Sequence, residues 1–348
     1  MKKTIALLAT LIGGTAMAQN DTTTASTDTA KSSNVAIVIH GGAGTIKREN
    51  LSAQQEKDIK AVLQQALDAG HQALSEGKEA TAGVIAAITI LEDSPFFNAG
   101  HGAVFTKPGK HELDASIMRG SDLNAGAVAG VSFTKNPILA AEQVMLNSPH
   151  VMLAGTGADT FSKLRALEQV ENTYFDTDFR RDAWKEVDKK TKAKNLETAS
   201  ADDILAAEFK FGTVGAVALD ANGDIAAGTS TGGMTYKAWG RIGDSPVIGA
   251  GTYADNRSCG ISATGHGEFF IRYTVASDIC ARVRYQNKSI EQAADEVIMQ
   301  ELKEVGGDGG VIGLDPKGNI IMTFNTAGMY RGYKKGQESV VQIFGDEK

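Results

Sequence analysis

Short unbroken apolar runs alternate along this chain with longer stretches in which apolar residues recur at helical spacing. Val35-Ala36-Ile37-Val38-Ile39 is of the first kind, the pattern of a strand buried on both faces. It ends in His40-Gly41-Gly42-Ala43-Gly44, a turn whose glycines open backbone conformations closed to other residues. His40 there reads as a structural histidine satisfied by backbone rather than a catalytic one. Ser52 and Gln55 form a capping box ahead of a helix whose apolar face is Ile59, Val62, Leu63, Ala66 and Leu67. A second helix over 80–91, rich in Ala and Ile, has the all-round apolar character of one buried between layers. Strands are expected at 102–106, 113–118 and 125–133, then a helix over 137–147 opened by Pro137, then a strand at 151–153 and a helix over 157–168. Val214, Ala216, Val217 and Leu219 make another buried strand, and Ile225-Ala226-Ala227-Gly228 returns from an Asn222-Gly223 turn as its hairpin partner. Beyond lie strands at 247–253 and 259–263, helices over 268–285 and 290–305, a hairpin of 311–314 with 319–324, and a last strand at 340–344. Strands in consecutive runs, with helices gathered before and after, predict a layered α+β fold in one domain rather than alternating βαβ units.

Composition changes this picture at three places. Met1-Lys2-Lys3, the apolar stretch over 4–12 and Ala16-Met17-Ala18 have the three-part form of a secretory signal, 1–18, with a small-x-small cleavage site. Its apolar part is too short to anchor in a bilayer, so the mature protein is expected to be exported, in a bacterium to the periplasm. Residues 19–33 are mostly Thr, Ser, Asp and Ala and read as a disordered spacer. From about 172 to 210 the chain turns to Lys, Arg, Asp and Glu, which predicts a solvated, mobile linker ending near 212. Elsewhere the 348 residues, 42% hydrophobic with a formal charge of −7, are those of a globular protein with little affinity for nucleic acid or anionic membranes. Cys259 and Cys280 fit no metal-ligand spacing. In an oxidising compartment they can join, but one lies in a strand and the other in a helix, and two buried thiols is the plainer reading.

The charged tract runs into Phe211-Gly212-Thr213-Val214-Gly215, where Thr213 is the first residue of a buried strand. A threonine hydroxyl is a poor nucleophile without a base. Cleavage between Gly212 and Thr213 would supply one, because the freed α-amino group has an unperturbed pKa of roughly 7.7–8.0. Nucleophile and base would then belong to one residue. Thr229-Ser230-Thr231-Gly232-Gly233 follows on the return strand, which brings Thr231 back beside Thr213; next come Arg241-Ile242-Gly243-Asp244-Ser245-Pro246 and Ala263-Thr264-Gly265-His266-Gly267-Glu268 ahead of a helix.

Taken in this order, these elements resemble the plant-type asparaginase and isoaspartyl peptidase family of N-terminal nucleophile hydrolases, over nearly everything from His40 to Tyr330. Glycosylasparaginases, the sister enzymes, usually carry aspartate before the nucleophile; Gly212 favours the asparaginase branch. The resemblance implies a four-layer αββα sandwich cut into an α subunit (34–212) and a β subunit (213–348). It implies that Thr213 attacks, that Thr231 tunes it, and that Thr264 and the Gly265 N–H stabilise the oxyanion. Arg241 would clamp the substrate α-carboxylate, Asp244 and the Gly267 carbonyl would take its α-ammonium, and Asn98 would stand at the rim. No cofactor is implied for catalysis. A structural sodium ion would be wrapped by the backbone carbonyls of Leu91, Glu92, Ser94, Phe97, Ala99 and His101, and two processed αβ units would form a dimer. His266 departs from some relatives, which bears on fine specificity. The implied substrates are L-asparagine and β-aspartyl dipeptides; the alternatives are a glycosylasparaginase-like amidase and a non-catalytic amino-acid-binding protein that keeps the Arg241/Asp244 clamp.

Overall fold

The computed structural model describes residues 35–193 and 212–347. The expected signal and spacer, and the later part of the charged tract, lie outside these residues. Strand β1 (Ala36–Gly44) precedes helices α1 (Ala53–Ser75) and α2 (Ala80–Glu92), strands β2 (Leu113–Arg119) and β3 (Ala125–Val131), helix α3 (Pro137–Asn147), strand β4 (Met152–Ala154) and helices α4 (Gly155–Leu164) and α5 (Asp178–Ala193). From Gly212 onward come β5 (Val214–Leu219), β6 (Ile225–Thr231), β7 (Thr252–Asp255), β8 (Cys259–Gly265), α6 (Gly267–Arg272), α7 (Val275–Gln286), α8 (Ile290–Ala294, continued as a π-helix over Asp295–Leu302), β9 (Gly309–Leu314), β10 (Ile320–Phe324), β11 (Gly328–Lys335) and β12 (Glu338–Phe344).

The strands form two sheets, one of eight in the order β12-β11-β1-β5-β6-β2-β3-β4 and one of four in the order β10-β9-β8-β7. Three apolar clusters define the layers. Ile37, Ile39, Val214, Ala216 and Ala218 face Leu63, Leu67, Val84 and Ile88 of α1 and α2. The alternate residues of the same strands, Ala36, Val38, Val217 and Leu219, meet Ile312 and Leu314 of the small sheet. The other face of that sheet, with Ile261, Ala263 and Val311, packs on Ile279, Ile290 and Val297. Helices, sheet, sheet, helices is the expected αββα sandwich. Strand alternation sends successive side chains to opposite faces, so β5 and the 36–39 part of β1, buried on both, are apolar residue after residue.

Five local expectations are corrected. Residues 102–106 form no strand: Val104 and Phe105 are buried, but the Val104 N–H is spent on Asn98 Oδ1 at 2.9 Å and the Thr106 N–H on the Lys110 carbonyl at 2.7 Å. Most of 247–253 is turn, with Val247 N–H bonded to Asp244 O (2.9 Å) and Ala250 N–H to Val247 O (3.0 Å). The helix expected over 268–285 breaks into α6 and α7 at Thr274, which holds a left-handed φ of 47°. The tract expected to be a mobile linker is, over its described part, a 3₁₀ turn (Asn172–Phe175) and α5, with Phe175 and Arg180 buried. Cys259 and Cys280 are joined by a disulfide, their Cα atoms 5.4 Å apart, because α7 lies directly on β8.

Candidate active site

Strands β5 and β6 pair antiparallel with Val214 opposite Ser230, a register that sets Thr213 against Thr231 at the mouth of the large sheet. Their hydroxyl oxygens are 3.0 Å apart. Thr231 Oγ1 also lies 3.4 Å from the Gly212 carbonyl oxygen and accepts the Gly233 N–H at 3.0 Å. Beneath it, Ser230 donates at 2.6 Å to the buried Glu92 Oε1, which also takes the Ile138 N–H at 3.0 Å. Burial pushes the Glu92 carboxyl up to about 8, against the opposing hydrogen bonds from Ser230 and Ile138. Glu92, chosen from the sequence for its carbonyl, thus anchors β6 through its side chain.

The scissile candidate is walled by β1. Gly42 has φ +111°, and a Cβ there would stand 2.7 Å from Gly212 Cα and 3.1 Å from Thr213 N. Only glycine fits. The next N–H along, that of Ala43, donates to Thr264 Oγ1 at 3.3 Å, which ties the proposed oxyanion hydroxyl to the strand covering Gly212. His40 is indeed held by backbone, but the backbone is that of Thr213: Nδ1 lies 3.0 Å from the Thr213 carbonyl and Nε2 3.0 Å from Ser262 Oγ. Complete burial lowers its pKa to about 3, so the ring is neutral; Nδ1–H must donate to the carbonyl and Nε2 accept from Ser262. Asn98, fully buried, accepts the Val104 N–H at 2.9 Å and donates to the Gly233 carbonyl at 2.7 Å. It joins the Phe97–Gly102 loop to the turn after Thr231, and so sits deeper than a rim.

Arg241 and Asp244 converge under Gly267, where a Cβ would lie 2.8 Å from Arg241 Nη2 and 2.9 Å from Asp244 Oδ1. Asp244 Oδ2 is buried with no hydrogen-bond partner among the described residues. Burial raises its pKa to about 7, an effect that the Arg241 charge partly offsets. A small cationic group fits that orphaned oxygen. Arg241 is not waiting empty: Nε and Nη2 each reach a Glu268 carboxylate oxygen at 2.9 Å. Burial alone would raise Glu268, but hydrogen bonds from His266 and Arg241 hold it well below the usual carboxylate range. Glu268 was missed from sequence, although an acid in the first turn of the helix beside a proposed clamp was a usable signal. Arg180 was missed as well. It lies in α5, 7% exposed, with Nε donating to the Gly102 carbonyl at 2.8 Å, and burial lowers its pKa to about 10.

The proposed sodium loop closes through the His101 N–H on Glu92 O at 2.7 Å, and the Ser94 N–H reaches Leu91 O at 3.3 Å. Among the described residues no hydrogen bond reaches the carbonyls of Ser94, Phe97, Ala99 or His101. Ser94, Phe97 and Ala99 are buried and His101 partly so; carbonyls left this way suit a cation held by oxygen, and no cluster of His, Cys, Asp or Glu side chains that could hold a metal occurs among the described residues.

Comparison with known proteins agrees with this geometry. The model of a family described as asparaginase matches residues 33–343. The chain belongs to the asparaginase family. It is accordingly a hydrolase of the N-terminal nucleophile type. It is 48% identical over 297 residues to an isoaspartyl peptidase of Escherichia coli, covering 85% of this chain and 92% of that one. A probable isoaspartyl peptidase/L-asparaginase of Arabidopsis thaliana is 40% identical over 85% of this chain and 94% of its own. A plant-type L-asparaginase of Pyrococcus horikoshii is 41% identical over 86% and 96%.

Proposed function

We propose that this asparaginase-family chain is an isoaspartyl peptidase and L-asparaginase that matures by cutting itself between Gly212 and Thr213. The observation that carries the reading is Thr213, buried immediately before β5, with its hydroxyl 3.0 Å from that of Thr231, whose own oxygen lies 3.4 Å from the Gly212 carbonyl oxygen. In maturation Thr213 Oγ1 attacks the Gly212 carbonyl carbon, the peptide C–N bond breaks, and the proton passes to the freed amine; water then hydrolyses the ester. A Thr231 hydroxyl facing the Gly212 oxygen favours this by polarising the carbonyl. In turnover the same oxygen attacks the substrate side-chain amide while the α-amine takes its proton and hands it to the leaving amine; water, activated by the same α-amine, then hydrolyses the aspartyl ester, releasing aspartate and restoring the Thr213 hydroxyl. Thr264 and the Gly265 N–H would receive the oxyanion, Arg241 the α-carboxylate and Asp244 the α-ammonium. Arg241 must exchange Glu268 for the substrate carboxylate, a like-for-like swap of anions. The purified protein is expected to yield two chains, the second beginning at Thr213, and to release ammonia from L-asparagine. A single uncut chain after prolonged incubation, inactive on both substrate types, would sink the reading and leave the amino-acid-binding alternative.

We also carry export to the periplasm as part of this proposal. The Cys259–Cys280 disulfide supports an oxidising compartment, and no helix among the described residues is long and apolar enough to cross a membrane. A sodium ion held by the 91–101 carbonyls would stiffen the loop that carries Asn98. Replacing sodium by choline should then lower the melting temperature, and an unchanged melt would remove the ion. The processed αβ unit is proposed to dimerise.

A further inference from the structure

A cavity of about 320 Å³ opens beside Gly212, on the side lined by Phe97, Asn98, Thr177, Arg180 and Tyr330. Arg180 is its notable member. The side chain is more than nine-tenths buried, yet among the described residues its guanidinium makes one hydrogen bond, from Nε to a backbone carbonyl. Its Nη2 lies 3.7 Å from where a Gly212 Cβ would be. No Asp or Glu is among the described residues lining the cavity, and Lys47 adds a second positive charge to the lining. Among the described residues no carboxylate pairs with this guanidinium, whose Cζ lies 5.4 Å from the centre of the Phe179 ring; a buried guanidinium left so is costly, and a planar carboxylate is the partner its two Nη groups match. We propose that this cavity is a carboxylate-binding site anchored by Arg180, taking the terminal carboxylate of an amino acid or peptide. Two sources of that carboxylate follow from the maturation and substrates proposed above, on which this inference rests. One is Gly212 itself, which becomes a chain terminus on cleavage; the other is the amino acid leaving a β-aspartyl dipeptide. Ammonia, the leaving group of L-asparagine, carries no carboxylate.

Arg180→Met and Arg180→Lys separate the sources. If the leaving amino acid binds here, Arg180→Met lowers kcat/KM for β-aspartyl-leucine relative to L-asparagine by at least about tenfold. Lysine restores part of that loss, and β-aspartyl-leucinamide, whose carboxylate is capped, shows none of it. If Gly212 is the ligand, Arg180→Met lowers the melting temperature of the cut protein by on the order of 4 °C but not that of the uncut Thr213→Ala protein. Calorimetric titration of N-acetylglycine into uncut Thr213→Ala protein, with and without Arg180→Met, reads the anion site without any turnover. Binding lost with the arginine supports the site even if the chain proves never to cut or catalyse. The site is overturned if N-acetylglycine binding is absent or indifferent to Arg180, the two substrates lose activity together, and cut and uncut proteins lose stability equally.

Discussion

Thr213→Ala should leave the chain uncut at its full mature mass and reduce turnover by on the order of 10⁴-fold or more. Both losses follow from one atom. Thr213 Oγ1 is the nucleophile proposed for the Gly212 carbonyl and for the substrate amide, and Thr231 Oγ1, 3.0 Å away, is a partner with no base of its own to replace it. In an uncut chain the Thr213 nitrogen remains an amide, so the general base is missing too. The substitution removes a hydroxyl and a methyl from a site that is only 8% exposed, with backbone still held by His40, so the fold should persist. Thr213→Ser keeps the hydroxyl but loses the methyl that restricts its rotamer, and should retain a fraction of both reactions. Intact-mass analysis and ammonia release decide the matter. An alanine variant that is cut and active would overturn the mechanism.

The second large effect concerns linkage. L-asparagine and a β-aspartyl dipeptide both offer a free α-carboxylate and α-ammonium beside the bond to be cut. An α-linked aspartyl dipeptide has that carboxylate tied up in its peptide bond. If Arg241 stood bare, the penalty for the α-linked substrate would be that of an unpaired buried charge. The bidentate pair with Glu268 changes the estimate. Arg241 keeps a partner when the wrong substrate binds, so what is lost is about one charge-assisted hydrogen bond in net terms, roughly 1.5–3 kcal/mol. Discrimination of tenfold to a few hundredfold is expected in kcat/KM, measured as amino-acid release from matched α- and β-linked dipeptides. Arg241→Lys should narrow that preference, since an ammonium cannot reproduce the fork. It should leave cleavage at Gly212 largely intact, because the propeptide presents no carboxylate there. Equal rates on the two linkages would remove Arg241 from its role.

Much of the site was legible along the chain because its parts sit at the ends of strongly patterned elements. Thr213 immediately precedes β5, Thr231 closes β6, and the Asn222-Gly223 turn between them sets a register that no alternative pairing matches without turning buried residues outward. Thr264 and Gly265 end β8 immediately before a helix. What went unread are the partners reached across the sandwich. His40 meets Thr213 and Ser262 from a strand far away in sequence, and Glu92 meets Ser230 from the end of α2. Side-chain pairings of that range leave no periodic trace.

The fold divides in the same way. Hydrophobic period alone determined that this chain builds layered sheets flanked by helices, since β1 and β5 are apolar on both faces and α1 on one. It also placed Thr213, the proposed nucleophile, within one residue of a strand start. Tertiary structure decided the rest. β11 contains Tyr330, Arg331, Tyr333, Lys334 and Lys335, too polar to read as a strand, yet it pairs with both β1 and β12 because ladder hydrogen bonds are made by backbone, whatever the side chains. Residues 102–106 are apolar enough for a strand, but their amides are taken by Asn98 and a local turn. The charged helix α5 looked solvated because most of it is; only packing against the Gly102 carbonyl and the cavity beside Gly212 buries Arg180. Local propensity decides which conformations are cheap, while the question of which buried polar group finds which partner is settled by the layers once they close.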